Sequence, residues 1–191
     1  MPLLLVVACT PPRTRRAPDP QALRGVKLGL PVPADARRTP GIGCGQISQD
    51  LPLRAHKVLV AAFSDNGAEA SNSNRAPWVL NVALREATLG EENTRARRTD
   101  RSPANPVQPV GPEAPPLDQP QESLVNSGNG SAVVVLDATL VHNGEPLWTG
   151  TVTGHAESAP CVQAIDKVHE ALADAVDELR ERVTPLLHQA Q

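Results

Sequence analysis

Five histidines, three cysteines and a Gly-rich run are the residues whose spacing could carry chemistry. His56, His142, His155, His169 and His188 are spread over strand ends, a turn and a helix. No His-Glu-x-x-His pair, Gly-x-Ser-x-Gly elbow, Walker loop or dinucleotide fingerprint occurs. His155 and Asp137 come nearest to an acid–base pair, by facing each other across a hairpin, but a solvated histidine beside a strand end is the plainer reading. Asp65-Asn66-Gly67 has the opening of a calcium loop without its later oxygen ligands or closing glutamate, so it reads as a turn after a strand. Gly41-Ile42-Gly43-Cys44-Gly45 lacks the strand, the helix and the Lys-Ser/Thr pair of a phosphate loop, and reads as a turn-rich segment anchoring Cys44. Neither Cys44 nor Cys161 has a Cys or His at ligand spacing. The expectation is a protein with no catalytic residue, no metal and no cofactor.

Cys9 stands apart. The run Leu3-Leu4-Leu5-Val6-Val7-Ala8 places an apolar stretch and a small residue directly before it. Val6-Val7-Ala8-Cys9 resembles the lipobox of bacterial lipoproteins, in which cleavage leaves the cysteine as a lipidated amino terminus. A secretory signal has a basic region and about 7–15 apolar residues, so residues 1–8 read as a truncated signal whose true start lies upstream. A bilayer span needs about 20 apolar residues, which nothing in the chain supplies. Thr10, where an aspartate would signal inner-membrane retention, implies by the same resemblance an outer-membrane anchor facing the periplasm. With Cys9 carrying lipid, Cys44 and Cys161 remain as a pair, and an oxidising periplasm favours their disulfide over two unpaired thiols. The entropic stabilisation of a loop of that size is roughly 4–5 kcal/mol.

Composition then bounds what can position these residues. The 191 residues carry a formal charge of −3, 20 prolines and 13 glycines, and the aromatic residues are only Phe63, Trp78 and Trp148. Such a chain offers neither a concentrated basic face nor stacking platforms for nucleic acid. Residues 9–40 read as a flexible tether, broken by proline and kept wet by arginine. Residues 41–187 read as a single α+β domain. Residues 91–130, with arginines at 95, 97, 98 and 101 and then seven prolines, read as a disordered insertion.

Within the domain, His56 to Ser64 reads as a strand buried on both faces. Trp78 to Leu89 alternates, with Trp78, Leu80, Val82 and Leu84 on one side. Ser131 to His142 and Leu147 to Ala156 flank Asn143-Gly144, the strongest hairpin signal in the chain. From Pro160, Val162, Ile165, Val168, Leu172, Val176, Leu179 and Val183 recur at helical spacing, with Ser158 as amino-terminal cap and Thr184-Pro185 near the end. The expected fold is α+β: a small, mainly antiparallel sheet of about four strands packed against a long C-terminal amphipathic helix.

The lipobox, the Val58-Leu59-Val60-Ala61-Ala62-Phe63 run, the hairpin ending Gly144-Glu145-Pro146-Leu147-Trp148 and the closing helix together resemble small envelope-assembly lipoproteins. Among these are outer-membrane transport-auxiliary and lipopolysaccharide-assembly lipoproteins. The chain departs from that pattern in having only a short Gly67–Pro77 loop where a helix is usual between the first two strands. The resemblance implies a non-enzymatic scaffold or adaptor, anchored in the membrane at Cys9 and working with an envelope protein partner. The alternative is a carrier holding a small apolar ligand between sheet and helix, which a cavity under the helix would reveal.

Overall fold

The computed structural model describes residues 17–89 and 129–189. Cys9, the signal at 1–8, the first part of the tether and all but the end of the 91–130 insertion lie outside the described residues. The core is a six-stranded mixed sheet with two helices on one face. Its elements are β1 Lys27–Gly29, β2 Ala34–Asp35, β5 Glu69–Ser71, β6 Trp78–Leu89, β7 Asn129–His142 and β8 Glu145–Pro160. β3 Gly41–Gly43 and β4 Gln46–Ile47 form a separate two-stranded hairpin. The helices are α1 Leu51–Asp65 and α2 Ala164–Gln189, the latter preceded by a 3-10 turn at Cys161–Gln163.

Strand order is β5-β1-β6-β7-β8, with β2 also paired to β6. The expected four-stranded, mainly antiparallel sheet is therefore too small. β6, β7 and β8 are antiparallel, but β1 runs parallel to β5 and β6, and β2 runs parallel to β6. Strands of two or three residues leave no alternation long enough to read from sequence. The tether expected over 9–40 also gives way where it is described. Leu23, Val26, Leu28 and Leu30 are buried in the core, so the packed domain begins well before residue 41.

The strand expected at His56–Ser64 is helix α1. Leu51, Ala55, Leu59 and Phe63 are buried at a spacing of four, while Val58 and Val60 are only partly covered. A window opened at His56 misses Leu51 and Ala55, and the remaining apolar run imitates a strand. Pro52 sits in the first turn, where a missing donor costs nothing. At the far end Asn66 caps the helix and Gly67 takes a φ of 90°, a common helix stop. Asp65-Asn66-Gly67 is thus the exit of a helix. α1 also supplies the crossover that the parallel pair β1 and β5 requires. It is the helix missing from the expected pattern.

The central hairpin forms as expected. Asn143 (φ 52°) and Gly144 (φ 90°) make its two-residue turn. Ala132, Val134, Leu136, Ala138 and Leu140 of β7 alternate into the core. In β6, Trp78, Leu80, Val82 and Leu84 face inward, then a register shift between Leu84 and Glu86 turns Ala87 and Leu89 inward as well.

α2 starts later and ends later than its sequence pattern suggests. Val162 is 82% exposed and Ile165 41% exposed, so neither belongs to the buried stripe, which is Val168, Leu172, Val176, Leu179, Val183 and Leu187. Ser158, expected as the amino-terminal cap, lies in β8, ahead of the 3-10 turn that precedes α2. Pro185 sits inside the helix, and the Thr184 hydroxyl donates to the Arg180 carbonyl at 2.8 Å one turn back.

Candidate functional site

Cys44 and Cys161 are joined by a disulfide with Cα atoms 5.5 Å apart. Cys44 occupies the tip of the β3–β4 hairpin with a φ of 53°, between Gly43 and Gly45, both also at positive φ. The glycines let the chain reverse tightly there. Gly43 fits where a Cβ would meet the Leu89 carbonyl oxygen at 2.5 Å. Cys161 lies at the junction of β8 and α2, and the Gln46 side chain donates to its carbonyl at 3.1 Å. The bridge therefore ties the hairpin to the start of α2.

β8 and α2 approach each other closely at one strand position. At Gly154 of β8 an added Cβ would lie 1.9 Å from the Ala171 carbonyl oxygen and 2.3 Å from the Ala175 nitrogen. Ala171 and Ala175 are fully buried, so strand and helix meet backbone to backbone. Trp148 folds over Gly150 in the same way, with its ring 2.3 Å from where a Cβ would be.

The opposite face of the sheet carries no helix among the described residues. Thr151 donates to Asp137 at 2.7 Å, and Asp137 accepts from Arg85 at 3.2 Å. Thr139 and Thr149 share a hydrogen bond at 3.4 Å. Val133, Val135 and Val141 are half-buried between these polar groups. This face therefore presents threonines, an Arg85–Asp137 contact and partly covered valines. The outer edge of β8 is blunted by α2, because Asp174 accepts from the His155 backbone nitrogen at 3.0 Å and Arg182 donates to the Thr151 carbonyl at 3.3 Å.

His155 and Asp137 are not brought together, since Asp137 pairs with Thr151 and His155 with Val133 in the β7–β8 register. His142 instead stacks on Trp78, ring centroids 4.0 Å apart. His56 has a ring nitrogen 2.9 Å from the Leu30 carbonyl. His169 is held below its ordinary value, by burial first and by nearby Arg54 second, against the opposing pull of Asp50 and Asp166. No cluster able to hold a metal ion occurs among the described residues. No described helix is long and apolar enough to cross a membrane.

Sequence reasoning missed a buried polar joint. Asn66 accepts from the Asp19 backbone nitrogen at 3.0 Å and from Arg180 at 3.2 Å, and donates to Thr184 at 3.4 Å. Asn66 and Arg180 are both buried, and Asp177 lies 3.6 Å from the Arg180 guanidinium. The joint binds the 19–22 turn, the end of α1 and the last turns of α2, and floors an open recess of about 950 Å³. In the sequence Asp65-Asn66-Gly67 reads only as a turn after a strand, with nothing that points to Arg180 or Asp19.

No family model matches the sequence, and no curated protein does. The fold is similar to that of protein XCC0632 from Xanthomonas campestris, of family DUF330, with a TM-score of 0.57 and 16% identity over 93% of this chain and 95% of that one. A PelC dodecamer from Paraburkholderia phytofirmans aligns with a TM-score of 0.45 and 16% identity over 82% of this chain and 87% of that one. A protein from Caulobacter crescentus CB15 assigned as a lipoprotein aligns at 0.39 and 12% identity, over 81% and 90%. At these identities the likeness concerns the fold alone, and only the first carries it.

Proposed function

We propose that this chain is a non-enzymatic envelope protein, held at the periplasmic face of the outer membrane by a lipid on Cys9, and that it acts as a scaffold or adaptor in outer-membrane assembly or transport. The observation that carries the reading is the contrast between the two sheet faces. The inner face meets α2 backbone to backbone at Gly154. The outer face offers Thr149, Thr151 and half-buried valines, with no helix over it among the described residues. A carrier would need the reverse arrangement. The Cys44–Cys161 bridge supports an oxidising compartment, and the lipobox-like Val6-Val7-Ala8-Cys9 supports the anchor.

The test is genetic complementation. In a host lacking the protein, wild type should restore the envelope barrier, measured by entry of an apolar dye. Cys9→Ser should fail through loss of the anchor, and Thr149→Arg should fail through loss of the partner surface while still fractionating with membranes. Full rescue by both variants would overturn the reading.

A further inference from the structure

The loop Arg37–Gly41 and the bulged end of β6 enclose a second recess, of about 480 Å³, walled by Arg37, Arg38, Thr39, Arg85 and Thr88 over Ala87 and Val135. That volume falls in the ordinary range for small-ligand sites. Arg37 is the unusual member. Its side chain is 2% exposed, yet the protein uses only two of its three nitrogens. Nε and Nη2 donate to the Asp35 carboxylate at 2.9 and 2.7 Å, and Nη2 donates also to the Ser48 carbonyl at 2.8 Å. Nη1 is buried without an acceptor. A charged donor left unsatisfied in the interior is costly, so an acceptor supplied from outside would complete the group.

We propose that this recess is a binding site for a phosphate-ester oxyanion, received by Nη1 of Arg37, the guanidinium of Arg38 and the hydroxyl of Thr39. Arg38 and Thr39 are exposed, and Arg38 makes no ion pair among the described residues. Arg85 stands on the opposite wall, partly engaged by Asp137. The geometry selects a tetrahedral anion over a planar one. Asp35 already holds the fork of Arg37 that would grip a carboxylate at two points, which leaves Nη1 as a single donor, and a tetrahedral anion can take single donors from separate residues where a planar one asks for a fork. Glu86, which accepts from Thr88 at 3.2 Å, lies on the same wall. With Asp35 and Asp137 it balances the three arginines, so directed donors and not bulk attraction set the affinity. The site makes no use of the Cys9 anchor, so its failure and the failure of the scaffold reading are separate outcomes.

The test uses the full chain and glycerol phosphate, followed by calorimetry and by amide NMR shifts. Saturable binding is expected, with shifts centred on residues 37–41 and 85–88. Arg38→Gln should weaken it about tenfold, as loss of a charge-assisted hydrogen bond does. Arg75→Gln, an exposed arginine elsewhere, should leave it unchanged. A second arm uses vesicles of phosphatidylcholine with and without phosphatidylglycerol. Retention on the anionic vesicles that is lost in Arg38→Gln assigns a lipid headgroup as the source, whereas glycerol phosphate binding without retention assigns a soluble ester. Absence of saturable binding, equal binding by acetate or citrate, or equal weakening by Arg75→Gln would overturn the site.

Discussion

Gly154→Ala is the substitution on which the closed interface depends. The new methyl group would lie 1.9 Å from the Ala171 carbonyl oxygen, 2.3 Å from the Ala175 nitrogen and 2.9 Å from its Cα. All three are backbone atoms of α2, so no rotamer change relieves them. Restoring van der Waals contact requires α2 to lift by roughly 1 Å or more, which weakens dispersion along the buried stripe Val168, Leu172, Val176 and Leu179. Overpacking of this kind costs about 1–3 kcal/mol, and a backbone obstacle puts this case near 3. At about 2–4 °C per kcal/mol for a chain of this size, Tm should fall by roughly 6–12 °C. Gly41→Ala is the matched control, because its Cβ would meet nothing nearer than 3.9 Å and its φ is not in the left-handed region. Both variants lose the same unfolded-state freedom. The assay is urea unfolding followed by far-UV circular dichroism and by Trp78 and Trp148 fluorescence. If Gly154→Ala came within about 0.5 kcal/mol of Gly41→Ala, below the overpacking range, the tight meeting of β8 and α2 would be refuted.

Reduction of Cys44–Cys161, or Cys161→Ser, should lower unfolding stability by about 5 kcal/mol, as the chain-entropy account gives for bonded residues 117 apart; identical urea midpoints with and without reductant would contradict this. Asn66→Ala should cost about 2–3 kcal/mol, because it removes the acceptor shared by Arg180 and the Asp19 backbone, and an unchanged midpoint would remove the polar joint from the account. His169 has a folded-state value below its ordinary 6.5, so the unfolded chain takes up its proton first as pH falls. Stability should be full above the ordinary 6.5 and decline on acidification until the folded imidazole also protonates. His169→Gln should flatten this decline, and a decline of equal size in both proteins would show that other groups set it.

The parts of the fold that were legible in the sequence are those with a long, uninterrupted period. β7 and β8 announce themselves by alternation around Asn143-Gly144, and α2 by its stripe from Val168 to Val183. The misread parts are short or ambiguous. β1 and β2 hold three and two residues inside a proline-rich segment, and they exist because β6 offers them an edge, which is tertiary information. α1 looked like a strand because Val58, Leu59 and Val60 are contiguous, and only the four-residue spacing from Leu51 to Phe63 separates the two readings. Of the candidate sites, the cysteine pair was accessible by counting. The Asn66–Arg180 contact joins residues 114 apart, and the orphaned nitrogen of Arg37 depends on where Asp35 and Ser48 fall, so no local pattern could reveal either.

The central claim is that α2 closes the inner face of the sheet and leaves the outer face for a partner. It is tested most directly by photolabelling the full-length protein with a diazirine-bearing fatty acid and mapping the modified residues by mass spectrometry. The account predicts no saturable labelling of the inward residues Val152, Leu172 and Val176, with any label confined to exposed positions such as Val162 or Leu147. Stoichiometric labelling of Val152, Leu172 or Val176, competed by unlabelled fatty acid, would contradict it and make the protein a carrier.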